Sequence, residues 1–346
     1  KIVVTASRLD TLEGETSRSV TILDPAMLEE SNYQAIPDAI GNVGGIDIRR
    51  RGPEGVQADI NIRGTTFEQN TVLVNGIVVN DPQTGHFNMD IPLSMMDVDA
   101  IEILKGPASS LYGPNSFGGV INIITKRPDD KELFLYSEGG SYDYYRGGIS
   151  LSYPAGPIKN RFSIEESRST GYMPETQFNN LTLTEAAAID TPFGSYDFLF
   201  GYMKKDFGAA NFYSNLYPNE LESTDTRLFE LKGRIERNGI KFEPKLFLRR
   251  HWDKFALDAN RPGWQTNYHT TYNYGLAADF VIEDKFMDVA YGYELSQDTI
   301  DSTSLQTHSR TKDGFYLEVS PHIIDALKIN AGVREDYVSD FGWRCS

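Results

Sequence analysis

Between residues 58 and 128, short apolar runs rich in β-branched side chains alternate with turns that contain glycine. Runs of this length and composition, bounded by turn residues, predict β-strands. Asn75 and Gly76 separate two of the runs, and both residues tolerate the positive φ angles of a tight hairpin turn. The pattern therefore predicts a compact unit with strands at residues 60–62, 71–74, 77–79, 100–104 and 120–125.

Three short helices are predicted around these strands. Asp24 is a suitable N-cap, and Pro25 suits the first helical position. A second helix is predicted over residues 36–40, ending at Gly41, and a single helical turn over residues 107–113. Strands and short helices together predict an α+β domain.

After residue 128, polar and apolar side chains alternate with a period of two, which predicts half-buried strands. Phe229 and Leu231, for example, lie on the face opposite Glu230. The same alternation appears in residues 240–248, 314–319 and 327–333. We count about eleven such strands between residues 132 and 338. Each has one face suited to lipid and one suited to water.

The connections between these strands alternate in length. Short ones are expected near residues 155–157, 192–194, 238–239, 283–284 and 321–325, and long ones near residues 171–179, 206–225, 252–267 and 302–309. Short periplasmic turns and longer outer loops are typical of an outer-membrane barrel. A soluble β-sandwich also alternates, so this pattern alone leaves both architectures open.

Composition narrows the choice of architecture and of partner. The 346 residues contain no apolar run of the length that a membrane helix needs, so only a closed barrel would span a bilayer. The net charge of −16 argues against a nucleic-acid partner. Solvated loops and lumen walls account for the acidic residues, and divalent cations bound in loops or bridging to lipopolysaccharide are the alternative.

Five motifs in the first domain resemble the plug domain of TonB-dependent outer-membrane receptors: NIRG at 61–64, VNG at 74–76, IEILKGP at 101–107, LYG at 111–113 and GGVINIIT at 118–125. The resemblance implies an α+β plug domain over residues 8–128, then an antiparallel transmembrane β-barrel over residues 129–346. Plugged barrels of this kind have roughly 22 strands. We therefore expect about half a barrel here, completed by a continuation past Ser346 or by a second chain.

The resemblance also implies how residues 1–7 are used. Three consecutive β-branched residues in this segment suit a strand that adds to the edge of another sheet. The segment resembles the TonB box, which binds the energy-transducing protein TonB, and the residues expected to do so are Ile2, Val3, Val4, Thr5 and Ala6. The alternative is that residues 1–7 form the first strand of the plug.

Substrate is expected, by resemblance, at the outward loops of the plug and at long barrel loops. The candidates combine aromatic, amide and acidic groups, which suits a bulky polar ligand, and are Thr66, Phe67, Glu68, Gln69, His86, Phe87, Asn88, Tyr213, Trp252 and Trp264. For the two tryptophans the alternative is the aromatic girdle at the membrane interface. A buried latch between plug and barrel is predicted from Arg63 and Lys105 to Glu165 and Glu166, because buried cations need carboxylate partners.

No enzyme site is expected. The five histidines show no metal-ligand spacing and no nucleophile lies beside a base, so neither a catalytic residue, a metal ligand nor a cofactor is predicted, and calcium in the loops stays open. We expect a receptor in the outer membrane of a Gram-negative bacterium that imports cobalamin or a ferric siderophore with TonB. Its other expected partners are lipid and lipopolysaccharide. The alternatives are a glycan or peptide importer with a surface lipoprotein partner, a signalling receptor, and a passive barrel.

Overall fold

The computed structural model describes residues 2–3, 7–9, 11–12, 16, 18–53, 56–213, 216–261, 263–323 and 329–346. The three helices of the first domain are α1 (Pro25–Glu30), α2 (Ile36–Gly41) and α3 (Ser109–Tyr112). Asp24 caps α1 by accepting a hydrogen bond from the Met27 amide at 3.0 Å. Gly113 ends α3 with a φ of 83°. All three predicted helices are confirmed.

The strands of the first domain are β1 (Ile2–Val3), β2 (Thr11–Leu12), β3 (Val20–Leu23), β4 (Ile46–Arg50), β5 (Ala58–Ile62), β6 (Asn70–Val74), β7 (Ile77–Val78), β8 (Val98–Lys105) and β9 (Gly119–Thr125). A five-stranded sheet has the order β3-β8-β9-β6-β7, with β6 and β9 parallel. β4 pairs with β5 in a separate hairpin. Asn75 and Gly76 have φ angles of 49° and 82°, as the predicted hairpin turn requires. Short 3-10 helices span Phe67–Gln69, Gly85–Phe87, Met95–Asp97 and Pro114–Ser116.

The second half of the chain is one twelve-stranded antiparallel sheet in which each strand pairs with the next. Its strands are β10 (Glu132–Gly140), β11 (Tyr144–Ala155), β12 (Ile158–Ser169), β13 (Phe178–Thr191), β14 (Gly194–Gly208), β15 (Leu221–Arg237), β16 (Ile240–Ala256), β17 (Thr266–Glu283), β18 (Met287–Ser302), β19 (His308–Pro321), β20 (Ala331–Val338) and β21 (Gly342–Cys345). The eleven expected strands are β10 to β20, and β21 follows after a short turn. The plug followed by part of a barrel confirms the predicted fold.

The strands extend further into the long connections than the sequence predicted. β15 begins at Leu221 instead of residue 226, and β16 continues to Ala256 instead of residue 248. Mostly polar residues occupy these extensions, where the backbone ladder continues although the regular alternation of apolar side chains has stopped. The periodicity therefore predicted where the strands lie but underestimated their lengths.

The two faces of the large sheet differ as the alternation predicted. Phe229 and Leu231 are exposed on its outer face, whereas Glu230 is buried on the face that meets the plug. The plug packs against this inner face, and its central residues Ile101 and Ile121 belong to the same apolar cluster as Ala186, Leu199 and Leu228 of the wall. The helices in the described ranges all fall short of the length and apolar character that a membrane-spanning helix requires.

Candidate functional site

Two short plug helices meet the long barrel connections at one end of the molecule. The rings of Phe67 and His86 lie 4.5 Å apart, and the ring of Tyr213, in the connection between β14 and β15, lies 6.1 Å from that of His86. A Cβ on Gly85 would come within 2.5 Å of Phe67 Cδ2. Glycine at this position therefore permits the close contact that brings the two plug loops together.

A buried carboxylate lies beneath these rings. His86 Nδ1 is 2.6 Å from Asp59 Oδ1, and the Asp59 side chain is only 3% exposed. Asp59 is placed there by β5, where it pairs with Arg49 of β4. Arg51 Nε lies 3.7 Å from Asp59 Oδ2 and supplies the nearest ion-pair partner.

Tyr213 connects the barrel loop to this plug surface. Its hydroxyl accepts a hydrogen bond from Gln57 Nε2 at 2.8 Å, and the Arg51 guanidinium lies 5.2 Å from the centre of its ring. Its ring also packs edge-on against Phe255 at 5.1 Å. The arrangement is an aromatic and polar surface suited to the contacts of a bulky polar ligand.

The other predicted plug residues divide into two groups. Thr66, Glu68 and Gln69 are exposed at the outward end. Phe87 and Asn88 are buried: the ring of Phe87 lies 4.4 Å from that of His251, and Asn88 Oδ1 accepts from the Asp81 amide at 2.9 Å. These two side chains therefore fix the loop in place, and only the exposed group faces solvent.

The two tryptophans occupy different surfaces. His251 and Asp253 are buried towards the plug, so Trp252 between them lies on the outer face of β16, where its ring is 6.5 Å from that of Tyr268. The structure therefore does not bring Trp252 to the plug surface around His86, and its role stays a prediction. Trp264 lies in the long connection after β16, where it packs with Tyr217 and Arg261.

Plug residues 81–97, here called the belt segment, pair with alternate barrel strands through three aspartates. Asp81 accepts from Arg249 of β16 at 2.5 Å, Asp90 from Lys205 of β14 at 2.8 Å, and Asp97 from Ser163 of β12 at 2.7 Å and Arg161 at 3.4 Å. Burial would raise the pKa of Asp81, but the charges of Arg249 and His251 and the hydrogen bonds from Arg249 and the Gln83 amide together outweigh burial and lower it. Asp81 is therefore held as a carboxylate.

The predicted latch is wrong in its residues. Arg63 is exposed, and Lys105 Nζ bonds to the Gly44 carbonyl at 3.2 Å on the plug surface. Glu165 pairs with Arg146 of the barrel at 3.0 Å, and Glu166 follows it on the opposite face of β12. At the belt segment the plug supplies the acids and the barrel the bases. The sequence indicates that buried charges need partners of opposite charge. It does not indicate which barrel strand faces which plug loop.

Residues 7–9, here called the N-terminal anchor, lie against the barrel nearer its short turns. The Ser7 hydroxyl and the Arg8 amide both donate to Glu318, at 2.9 and 2.8 Å. Arg8 Nη2 donates to Glu294 Oε1 at 2.8 Å and to the Leu111 carbonyl at 2.9 Å. Burial would lower the pKa of Arg8, but the acidic groups of Tyr316, Asp279 and Glu294 raise it well above its ordinary value.

The expected TonB-binding residues precede this anchor. Ile2 and Val3 form β1, which pairs with β2 apart from the five-stranded sheet. Val4, Thr5 and Ala6 lie outside the described residues. Binding of TonB by any of these residues stays a prediction.

Three residues of the site escaped the sequence analysis: Arg51, Gln57 and Asp59. Arg51 lies in a run of three arginines at residues 49–51, a composition typical of a solvated loop, and Asp59 precedes the predicted start of its strand. An acid within a β-branched run was the available signal. Within the described ranges, His, Cys, Asp and Glu side chains do not gather in threes as a metal site would require.

The sequence matches a known domain family. Residues 13–120 match the family model of the TonB-dependent Receptor Plug Domain. The chain is 35% identical over 151 residues to a protein named vitamin B12 transporter BtuB of Vibrio cholerae, covering 43% of this chain and 24% of that protein. The equivalent protein of Vibrio vulnificus is 32% identical over 142 residues, covering 41% and 23%. The matches thus span about a quarter of the length of these relatives.

Solved structures show the same fold. The siderophore receptor PirA of Pseudomonas aeruginosa superposes with a TM-score of 0.75 at 19% identity, covering 96% of this chain and 58% of that one. The alcaligin outer-membrane receptor FauA of Bordetella pertussis gives 0.79 at 16% identity, covering 97% and 57%. The chain is thus a plug domain followed by part of a barrel. Residues 13–120 match the plug domain of TonB-dependent receptors, and the fold of the strands that follow is that of part of the barrel in these solved receptors.

Proposed function

We propose that this chain belongs to an importer, not an enzyme, that binds a scarce bulky nutrient outside the cell and admits it with energy delivered by TonB. The observation that carries the proposal is that the plug contacts the barrel wall near both of its ends. The aromatic and histidine-bearing surface meets the long connections, and the N-terminal anchor lies nearer the short turns. Binding at one end and force at the other therefore act on one domain.

Cobalamin and ferric siderophores are the proposed cargo. The curated relatives are named as vitamin B12 transporters, and the solved neighbours include siderophore receptors. Glycans and peptides remain the alternative cargo of the same machinery. The outer-membrane lipid and lipopolysaccharide are the proposed surroundings of the apolar outer face.

The dependence on TonB is tested at Val3. We expect Val3→Pro to abolish uptake in cells and to leave binding by the purified full-length receptor unchanged, because proline cannot donate a backbone hydrogen bond to an added strand. Val3→Thr keeps a β-branched residue at this position and is the matched control. Uptake that survives Val3→Pro at the control rate would contradict the mechanism.

The cargo is tested by fluorescence quenching. The full-length receptor in detergent is titrated with cyanocobalamin and with a panel of ferric siderophores. Saturable quenching by one class identifies the cargo. If neither class quenches the fluorescence, glycans and peptides become the favoured cargo. The transport mechanism is then tested by the uptake assay alone.

A further inference from the structure

His86 is held so that one ring nitrogen is committed to the protein and the other is left available. Asp59 is a buried carboxylate and accepts at 2.6 Å from the Nδ1 edge of the ring. The His86 side chain is 20% exposed. Since the Nδ1 edge faces a buried group, the exposed part of the ring is the opposite edge, which carries Nε2.

The partner of Nδ1 determines the protonation of the ring. An ionised carboxylate accepts hydrogen bonds and cannot donate one, so Nδ1 carries the proton. In the neutral imidazole Nε2 then presents its lone pair. Among the residues that the structure describes, Nε2 has no hydrogen-bond partner, and it is not enclosed.

The ring is also fixed in direction. Phe67 lies against it at 4.5 Å with an interplanar angle of 30°, and Tyr213 meets it at 67° from 6.1 Å. A histidine that donates one ring N–H to a carboxylate and offers the other nitrogen is the usual arrangement of a metal-ligating imidazole, because the carboxylate fixes the tautomer and raises ligand basicity. Within the described residues, His, Cys, Asp and Glu side chains do not gather in threes around it, so the site suits a single bond to a metal that its own chelator already holds.

We propose that His86 Nε2 binds the metal of the cargo at an exchangeable axial position, and that the preferred cargo is a corrinoid with a labile axial water. This inference rests on the proposed import function. The bond between cobalt and water breaks, a bond between cobalt and Nε2 forms, the water leaves, and the oxidation state of cobalt does not change. The proton on Nδ1 stays in its bond to Asp59, and Phe67 and Tyr213 flank the approach.

The test compares two corrinoids that differ at that axial position. The full-length receptor in detergent is titrated with aquocobalamin, whose axial water exchanges, and with cyanocobalamin, whose cyanide does not, while the visible absorption spectrum of the cobalt complex is recorded. We expect aquocobalamin alone to show the spectral shift of an imidazole replacing water. His86→Phe keeps an aromatic ring without nitrogen and should remove the shift, weakening aquocobalamin binding at least tenfold more than cyanocobalamin binding.

Two further variants separate coordination from packing. Asp59→Asn should weaken aquocobalamin binding by about tenfold, the usual effect of losing an outer-shell partner. His322→Phe is the matched control, because His322 also pairs with an aspartate, Asp288 at 2.9 Å, but lies directly after β19, at the other end of the wall from His86. It should change neither titration.

The outcomes decide between the two proposals. Binding of both corrinoids without a spectral shift, or a shift that persists in His86→Phe, overturns coordination by His86 and leaves import of cobalamin standing. Binding of a ferric siderophore in place of either corrinoid overturns the corrinoid inference and leaves TonB-driven import standing. Loss of all binding and uptake in the wild type overturns both.

Discussion

The belt segment and the N-terminal anchor attach the plug to the same wall with opposite charge arrangements. In the belt segment, aspartates of the plug meet basic side chains of β12, β14 and β16. In the anchor, Arg8 lies among acids of β17, β18 and β19. The belt segment is held at three separate points, whereas the anchor is one short stretch around one guanidinium.

The two attachments differ in whether the charged groups left behind keep a partner when the contact breaks. Asp279 also pairs with Lys245 at 2.5 Å, and Glu294 with Arg334 at 2.8 Å, so these two acids keep a cation when Arg8 leaves. Asp81 and Arg249 are almost fully buried against each other, and separating them strands a charge in the interior. The anchor therefore suits release, and the belt segment suits retention.

The largest effect is expected from Arg249→Ala, which leaves Asp81 buried without its cation. Removing one partner of a buried pair costs about 3–5 kcal/mol. We expect this loss in the thermal or denaturant unfolding of the full-length receptor. Arg250→Ala is the matched control, since Arg250 pairs with Asp225 on the outer face, where both side chains are partly exposed, and exposed pairs contribute about 1 kcal/mol or less. Equal losses in the free energy of unfolding for Arg249→Ala and Arg250→Ala would contradict the prediction that the buried pair contributes more.

Unfolding measurements over a series of pH values test the contribution of Asp81 to the same buried pair. The pKa of Asp81 is lowered in the folded protein, so its ionised form contributes stability that is complete above the ordinary pKa of about 3.9 and is lost as pH falls through the lower folded value. The stability difference between wild type and Asp81→Asn should therefore be largest near neutral pH and shrink below pH of about 4. A difference that stays constant down to pH of about 2 contradicts this assignment.

A smaller loss of stability is expected from Arg8→Ala, because the acids around Arg8 keep other partners. Loss of hydrogen bonds to charged groups of this kind costs about 1–3 kcal/mol. The sharper readout is exposure of the N-terminal segment, measured as maleimide labelling of Thr5→Cys in a Cys345→Ser background. Arg49→Ala, at an exposed plug arginine, is the control. Labelling that is equally slow in Arg8→Ala and in the control would show that Arg8 does not hold the segment.

The smallest effect is expected from Lys105→Ala. Lys105 is bonded to one carbonyl at the plug surface, and surface changes of this kind are usually within about 0.5 kcal/mol. A loss comparable with that of Arg249→Ala would restore the original prediction that Lys105 belongs to a buried latch. The measurement is the same unfolding assay.

Local features of the fold were predictable because their causes are local. The cap at Asp24, the hairpin at Asn75 and Gly76, and the alternation around Phe229 each depend on neighbouring residues, and all are present. Contacts between plug and wall depend on which strand meets which loop after the chain has closed on itself. For that reason the sequence suggested Arg63 with Glu165, whereas the structure pairs Asp81 with Arg249.

The site was predictable to a similar extent. Phe67, His86 and Tyr213 were expected at the outward end and lie together there. Asp59 was not expected, because the predicted strand began at residue 60, whereas the observed strand begins at Ala58. Trp252 was ambiguous because its face depends on the register of β16, which the polar extension of that strand concealed.

The length of the wall strands determines how much of the receptor is accessible from outside the cell. β15 and β17 contain 17 and 18 residues, whereas a spanning strand needs about 9–11. The outer face of β15 changes from Phe229 and Leu231 to Asp225 and Arg227 as it approaches its long connection. In the proposed outer-membrane setting, we expect this polar part to form a collar that projects into the medium, where antibodies bind and where charge changes leave insertion into the bilayer unaffected.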